Sequence, residues 1–93
     1  MKFDDSKVNV PHIGWNEVFT IKESPLFKGI KEGEFFYFAH SYYLPVCCNT
    51  IAYCEYGEKF SAAVEKNNLF GLQFHPEKSG EAGLRMLKNF VEL

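Results

Sequence analysis

Residues 71–80, GLQFHPEKSG, carry the reading that decides the fold. The stretch closes an apolar run that starts at Leu69, passes through His75-Pro76-Glu77, and ends on Ser79-Gly80 in front of a segment of helical periodicity. Strand, loop, helix is the repeating order of an α/β sheet, and open α/β sheets gather their ligands at the carboxyl ends of strands. His75 and Glu77 fall in that loop. In an extended chain side chains repeat every two residues, so the two project from one side, and Pro76 keeps His75 away from helical angles. A carboxylate beside an imidazole fixes its tautomer and leaves the other ring nitrogen to take a proton from a nucleophile. The plain alternative is a surface turn with two solvated side chains. A third member, an activated Ser or Cys, separates the two readings.

Working outward, the segment after Ser79 predicts the clearest helix. Ser79 can act as N-cap; Leu84, Leu87 and Val91 fall on one stripe with Met86 and Phe90 beside them, and this face is expected to pack on a sheet. Glu81/Arg85 and Lys88/Glu92 are spaced for i,i+4 pairing on the polar side. Upstream, residues 16–21 (NEVFTI) read as a strand, and Ser24-Pro25 starts a brief helix with Pro in its first turn. Residues 34–40, EFFYFAH, are almost continuously apolar, which predicts a central strand covered on both faces. Residues 50–56 and 59–65 flank a hairpin turn at YGEK, and Asn67-Asn68 turns the chain into a last strand, residues 69–74.

Composition narrows the function classes. The 93 residues are 46% hydrophobic and 17% aromatic, with ten Phe, so one domain at most with ample material for a core. The net charge of -2 comes from 12 acidic and 10 basic residues without a basic stripe, which argues against a nucleic-acid partner. No apolar stretch approaches the roughly 20 residues that span a bilayer, and the first residues are unlike a signal peptide; no membrane role is expected, and the expected compartment is the cytoplasm. Three cysteines cannot pair off without leaving one over, which fits a reducing compartment. Cys47, Cys48 and Cys54 lack C-x-x-C spacing, so no metal is expected, and nothing implies a cofactor.

FGLQFHPEKSG resembles the C-terminal signature of the class I, or triad, glutamine amidotransferases, in which the His and Glu of a Cys-His-Glu triad lie between a strand and the last helix. VPHIGWNEV (residues 10–18), YFAHSYY (residues 37–43) and Lys78 after the Glu resemble one branch of that family, the glutaminase subunits of imidazole glycerol phosphate synthase in histidine biosynthesis. The resemblance implies an α/β fold, the C-terminal part of a flavodoxin-like three-layer amidotransferase domain spanning residues 1–93, with an incomplete sheet and a C-terminal helix. It implies His75 as general base and acid, Glu77 as its orienting carboxylate, and Ser41 and Tyr42 as the segment whose backbone holds glutamine. Trp15, Asn16, Tyr37 and Lys78 match positions at the contact with a (β/α)₈-barrel cyclase subunit that receives ammonia.

The family's nucleophile sits in a G-x-C-x-G elbow, and no such elbow occurs in these residues. Cys47, Cys48 and Cys54 have no flanking glycines and read as structural thiols, so the chain is expected to correspond to an interior start of the family domain and to be inactive alone. Two alternatives remain open: an amidotransferase feeding another acceptor, such as a surface-polysaccharide sugar, and a non-catalytic module that only binds the partner.

Overall fold

The computed structural model describes all of residues 1–93. Five strands form one curved sheet: β1 (His12–Thr20), β2 (Glu34–His40), β3 (Thr50–Tyr56), β4 (Glu58–Lys66) and β5 (Leu69–Leu72). Their order is β2-β1-β3-β4-β5, every neighbouring pair antiparallel, and one helix, α1 (Gly80–Val91), follows. This is the α/β arrangement anticipated from the sequence, a sheet closed by a C-terminal helix. No helix is long and apolar enough to cross a membrane.

Local chemistry explains the turns. Lys66 pairs with Leu69, leaving a two-residue loop in which Asn67 and Asn68 both have positive φ, 51° and 69°. Such a tight hairpin needs positive φ at both central positions, and Asn tolerates it better than other residues with a side chain. Ser24 caps a short 3₁₀ turn, Pro25–Phe27, by accepting a hydrogen bond from Leu26 N–H, with Pro25 in the first turn as the sequence predicts.

β1 pairs with β2 along residues 12–18 and with β3 only at Phe19 and Thr20. The β1–β2 ribbon therefore bends away from the three-stranded part and lays its inner face against it. Phe36 and Phe38 from β2 and Phe60 from β4 are fully buried there, with Phe74 tilted on Phe36 at 4.4 Å between ring centroids.

Three expectations need correction. β2 is not a central strand covered on both faces but an edge strand: Phe36 and Phe38 point inward, while Phe35 is 49% exposed and Ala39 is exposed on the other face. The strand covered on both faces is β4, where Phe60, Ser61, Ala62 and Ala63 are all buried. The helix also turns a different stripe inward. Gly83, Met86 and Asn89 are its buried residues, whereas Leu84 is 66% and Val91 80% exposed. Close approach at Gly83 and two hydrogen bonds from Asn89 Nδ2, to Leu26 O (2.9 Å) and Lys28 O (2.8 Å), set the rotation. Neither contact is visible to a hydropathy pattern. Nor do the i,i+4 ion pairs form: Arg85 donates instead to Lys28 O, and the single ion pair of the chain is His75–Glu77.

Two strand ends shift. β1 begins at His12, four residues before the reading from NEVFTI, because all of residues 12–18 find partners on β2. β5 stops at Leu72, since His75 N–H leaves β4 and donates to Tyr37 O on β2 at 2.9 Å.

Candidate active site

The loop after β5 is held by its backbone before its side chains are considered. His75 N–H donates to Tyr37 O, and His75 C=O accepts from Lys78 N–H (3.0 Å) and from Ser79 Oγ (2.6 Å). The same Ser79 Oγ accepts from Tyr37 N–H at 2.9 Å. Ser79 is 2% exposed, and its hydroxyl is spent on this clamp rather than on capping α1, so the N-cap expectation holds in position but not in side-chain bonding. A buried hydroxyl with both roles filled is a strong local tie.

His75 and Glu77 meet: His75 Nδ1 lies 3.3 Å from Glu77 Oε2. The route differs from the extended geometry read from the sequence. His75 itself is extended, at φ −105° and ψ 97°, but Pro76–Lys78 form a 3₁₀ turn that swings the glutamate back over the ring. With Nδ1 facing the carboxylate, Nε2 is the nitrogen left to exchange a proton. The two side chains are 39% and 58% exposed, open enough for a substrate or another chain segment to reach them.

None of the thiols hydrogen-bonds to His75. Cys54 is fully buried in β3, and burial pushes its thiol up to about 12, which keeps it protonated and unreactive. Cys47 and Cys48 are exposed in the loop before β3. The backbone N–H of Asn49, then the Thr50 hydroxyl, hold the Cys47 thiol below its usual value, Thr50 Oγ1 donating to Sγ at 3.6 Å. Brief iodoacetamide treatment of the folded chain near pH 7.5 will therefore alkylate Cys47 first, the exposed Cys48 after it, and leave Cys54 untouched until denaturant is added. Mass spectrometry of the modified peptides checks this, and native labelling of Cys54 would contradict its burial. No three His, Cys, Asp or Glu side chains converge as a metal-binding group.

Ser41 and Tyr42 follow β2. Ser41 C=O accepts from Phe3 N–H at 3.2 Å, and Tyr42 C=O from His40 Nδ1 at 2.8 Å; neither residue's own N–H donates within the chain. The Tyr42 ring is 65% exposed.

Trp15 and Tyr37 are direct cross-strand partners on the outer face of the β1–β2 ribbon, their rings edge to face at 6.0 Å. Trp15 is 55% exposed and reaches over Gly80, just past the 3₁₀ turn that carries the exposed Lys78, so the indole borders the His75 loop. Ile13 and Ala39, one rung along, extend that outer face as an exposed apolar surface. Asn16 turns to the opposite, inner face, where Nδ2 lies 3.1 Å from Glu55 O and 3.3 Å from His12 Nε2. Sequence reasoning missed Ser79 as a clamp and His12 and His40 altogether. The serine is visible in the H-P-E-K-S run, but the two histidines become neighbours only once the strand register is known.

A loop that presents an imidazole backed by a carboxylate, between a strand and the last helix of an α/β unit, has the geometry to move a proton to and from a neighbouring group. The profile of the family Glutamine amidotransferase class-I matches residues 5–93, and the chain belongs to that family. Within it, this chain is homologous to proteins named Imidazole glycerol phosphate synthase subunit HisH. It is 52% identical to that of Yersinia pseudotuberculosis, 54% to that of Salmonella typhimurium and 53% to that of Escherichia coli O157:H7, in each case over 92 residues that make up 99% of this chain and 47% of the relative. The chain thus spans about half the length of the curated relatives it matches.

Proposed function

We propose that this chain provides the His-Glu half of a glutamine-hydrolysing site, in a glutaminase subunit of imidazole glycerol phosphate synthase acting in the cytoplasm. The observation that carries the reading is the His75–Glu77 contact at 3.3 Å, with Nε2 free, in a chain 52% identical to a HisH relative over 92 residues. His75 takes the proton of an elbow cysteine, whose sulfur attacks the amide carbon of glutamine; the C–N bond breaks as the imidazolium returns that proton to the leaving ammonia. The γ-glutamyl thioester is then hydrolysed by a water that the neutral imidazole deprotonates, giving glutamate. Glu77 keeps the ring in the tautomer that both steps need. The unpartnered N–H groups of Ser41 and Tyr42 are suited to hold the substrate's carboxylate or carbonyl oxygens.

Ammonia goes to a (β/α)₈-barrel cyclase subunit docked on the face formed by Trp15, Tyr37 and Lys78, with Asn16 next in the strand. The exposed apolar rungs of that face also favour the second reading, a module that binds the partner without turnover. Glutamine hydrolysis by the 93 residues alone decides part of this. No glutamate should form above the uncatalysed rate, because the chain has a base and an orienting acid but no G-x-C-x-G thiol. Glutamate production that disappears with Cys47→Ser or Cys48→Ser would overturn the proposal and assign the nucleophile to this chain. A pull-down with the barrel cyclase separates the proposed acceptor from a sugar-directed one.

A further inference from the structure

His12 and His40 face each other as a directly paired rung of β1 and β2 and take no part in the chemistry assigned to His75. His12 is 3% exposed, stacked on Tyr56 at 3.9 Å and on Phe38 at 5.0 Å. Its Nδ1 lies 3.0 Å from His40 Nε2, its Nε2 lies 3.3 Å from Asn16 Nδ2, and His40 Nδ1 lies 2.8 Å from Tyr42 O.

The polarity of this series is fixed from both ends. A carbonyl oxygen only accepts, so His40 Nδ1 carries a hydrogen and donates to Tyr42. In a neutral ring His40 Nε2 is then bare and accepts from His12 Nδ1–H, which in turn leaves His12 Nε2 bare to accept from Asn16. The Asn16 amide cannot be flipped to suit another arrangement: Nδ2 also donates to Glu55 O, and Oδ1 accepts from Glu17 N–H at 2.8 Å. Both rings are therefore in the Nδ1–H form, the one that a solvated histidine disfavours.

The far end of the series lands on a segment that is otherwise pinned to the N-terminal residues. Phe3 N–H donates to Ser41 O, and Tyr43 N–H donates to Met1 O at 2.6 Å. With the carbonyls of Ser41 and Tyr42 both held, the Tyr42 N–H between them has a fixed direction. We propose that Asn16, His12 and His40 form a one-way hydrogen-bond chain that positions the Tyr42 peptide, and that it holds only while both imidazoles are neutral. The consequence for glutamine rests on the role given above to Ser41 and Tyr42.

A proton on His12 Nε2 would oppose the Asn16 amide hydrogens, and a proton on His40 Nε2 would oppose His12 Nδ1–H. The surroundings offer the His40 cation only the Tyr42 carbonyl, which is outweighed by burial, and they offer the His12 cation nothing. The groups around the pair are the rings of Phe3, Phe38, Tyr56 and Phe60 and the imidazole of His75, and no carboxylate lies within ion-pair distance of either ring. Burial, then the neighbouring His40, pushes His12 down to about 4, and burial also lowers His40. A histidine held below its unfolded value contributes stability that is whole above about pH 6.5 and is lost as pH falls towards about 4.

The test uses the 93-residue chain labelled with ¹⁵N. Long-range proton–nitrogen spectra at pH 7.5 should show both His12 and His40 neutral and protonated on Nδ1, and on acidification those signals should fade together with exchange protection of the Tyr43 amide. His40→Phe should speed exchange of that amide roughly tenfold, and His40→Asn, whose Nδ2–H can take the place of Nδ1–H, should restore most of it. Finding either ring in the Nε2–H form overturns the proposal, and this holds even if His40→Phe does not fold. In a domain reassembled with the elbow-bearing half of a HisH relative, His40→Phe should raise the glutamine KM about tenfold and change kcat less. An unchanged KM with the tautomers as described overturns the positioning of glutamine, whereas failure of the glutaminase reading itself would show as absent turnover in the unaltered assembly.

Discussion

Replacing His75 by alanine will lower kcat for glutamine hydrolysis roughly 10²- to 10⁴-fold once this chain is co-expressed with the elbow-bearing half of a HisH relative, the span usual for loss of a general acid–base. The fall can be read as chemistry because the loop does not depend on the imidazole. Its backbone is tied to Tyr37 and Ser79 through His75 N–H and C=O, bonds that alanine keeps. The thermal melt of His75→Ala should accordingly match that of the parent. Glu77→Gln should cost less than His75→Ala, since the ring remains and only its tautomer and its cationic form lose support. Adding the barrel cyclase should raise turnover in the parent assembly. A soluble, well-formed assembly that hydrolyses glutamine equally fast with His75→Ala would show that the His-Pro-Glu loop is a structural turn and that the family role does not apply to it.

Much of the element order was legible because it is written in local chemistry. β2 and β3 fall on the residues their apolar runs mark, and the paired asparagines force the β4–β5 hairpin. The His75–Glu77 pair was legible for the same reason: Pro76 restricts its neighbour whatever lies elsewhere. What stayed hidden depends on which surfaces meet. EFFYFAH carries aromatics on both sides of the strand, and sequence alone cannot say whether Phe35 and Tyr37 cover another layer of this chain or face outward, as they do. The face of α1 was misread because an apolar stripe is only one way of docking a helix. Here a glycine and an asparagine take the inward positions, one for its small size and one for its two donors. His12 and His40 lie 28 residues apart, and only the register of β1 on β2 makes them neighbours.

Gly83→Ala will destabilise the fold by about 3 kcal/mol, although intrinsic preference points the other way. Alanine is favoured over glycine in a helix by about 1 kcal/mol, so an open position would gain from the change. Gly83 is not open. A Cβ there would sit 1.9 Å from Pro76 O, 2.8 Å from the Pro76 carbonyl carbon and 2.9 Å from Ser79 Cβ. The first two are backbone atoms, so no rotamer change relieves the overlap, and overpacking of this kind costs about 1–3 kcal/mol or more. Relief requires α1 to lift from the 3₁₀ turn or the turn to move, and that turn holds Glu77 against His75. Stability and the His75–Glu77 pair are thus coupled through one hydrogen atom's worth of space. Gly71→Ala is the control, since its nearest contact is the end of the Val64 side chain at 3.0 Å, and its effect should stay within about 1 kcal/mol. Urea unfolding of both variants, with unchanged m values, measures the difference. A Gly83→Ala chain at least as stable as the parent would mean that α1 does not seat on the Pro76 carbonyl, and that the clamp joining helix, turn and His75 is looser than described.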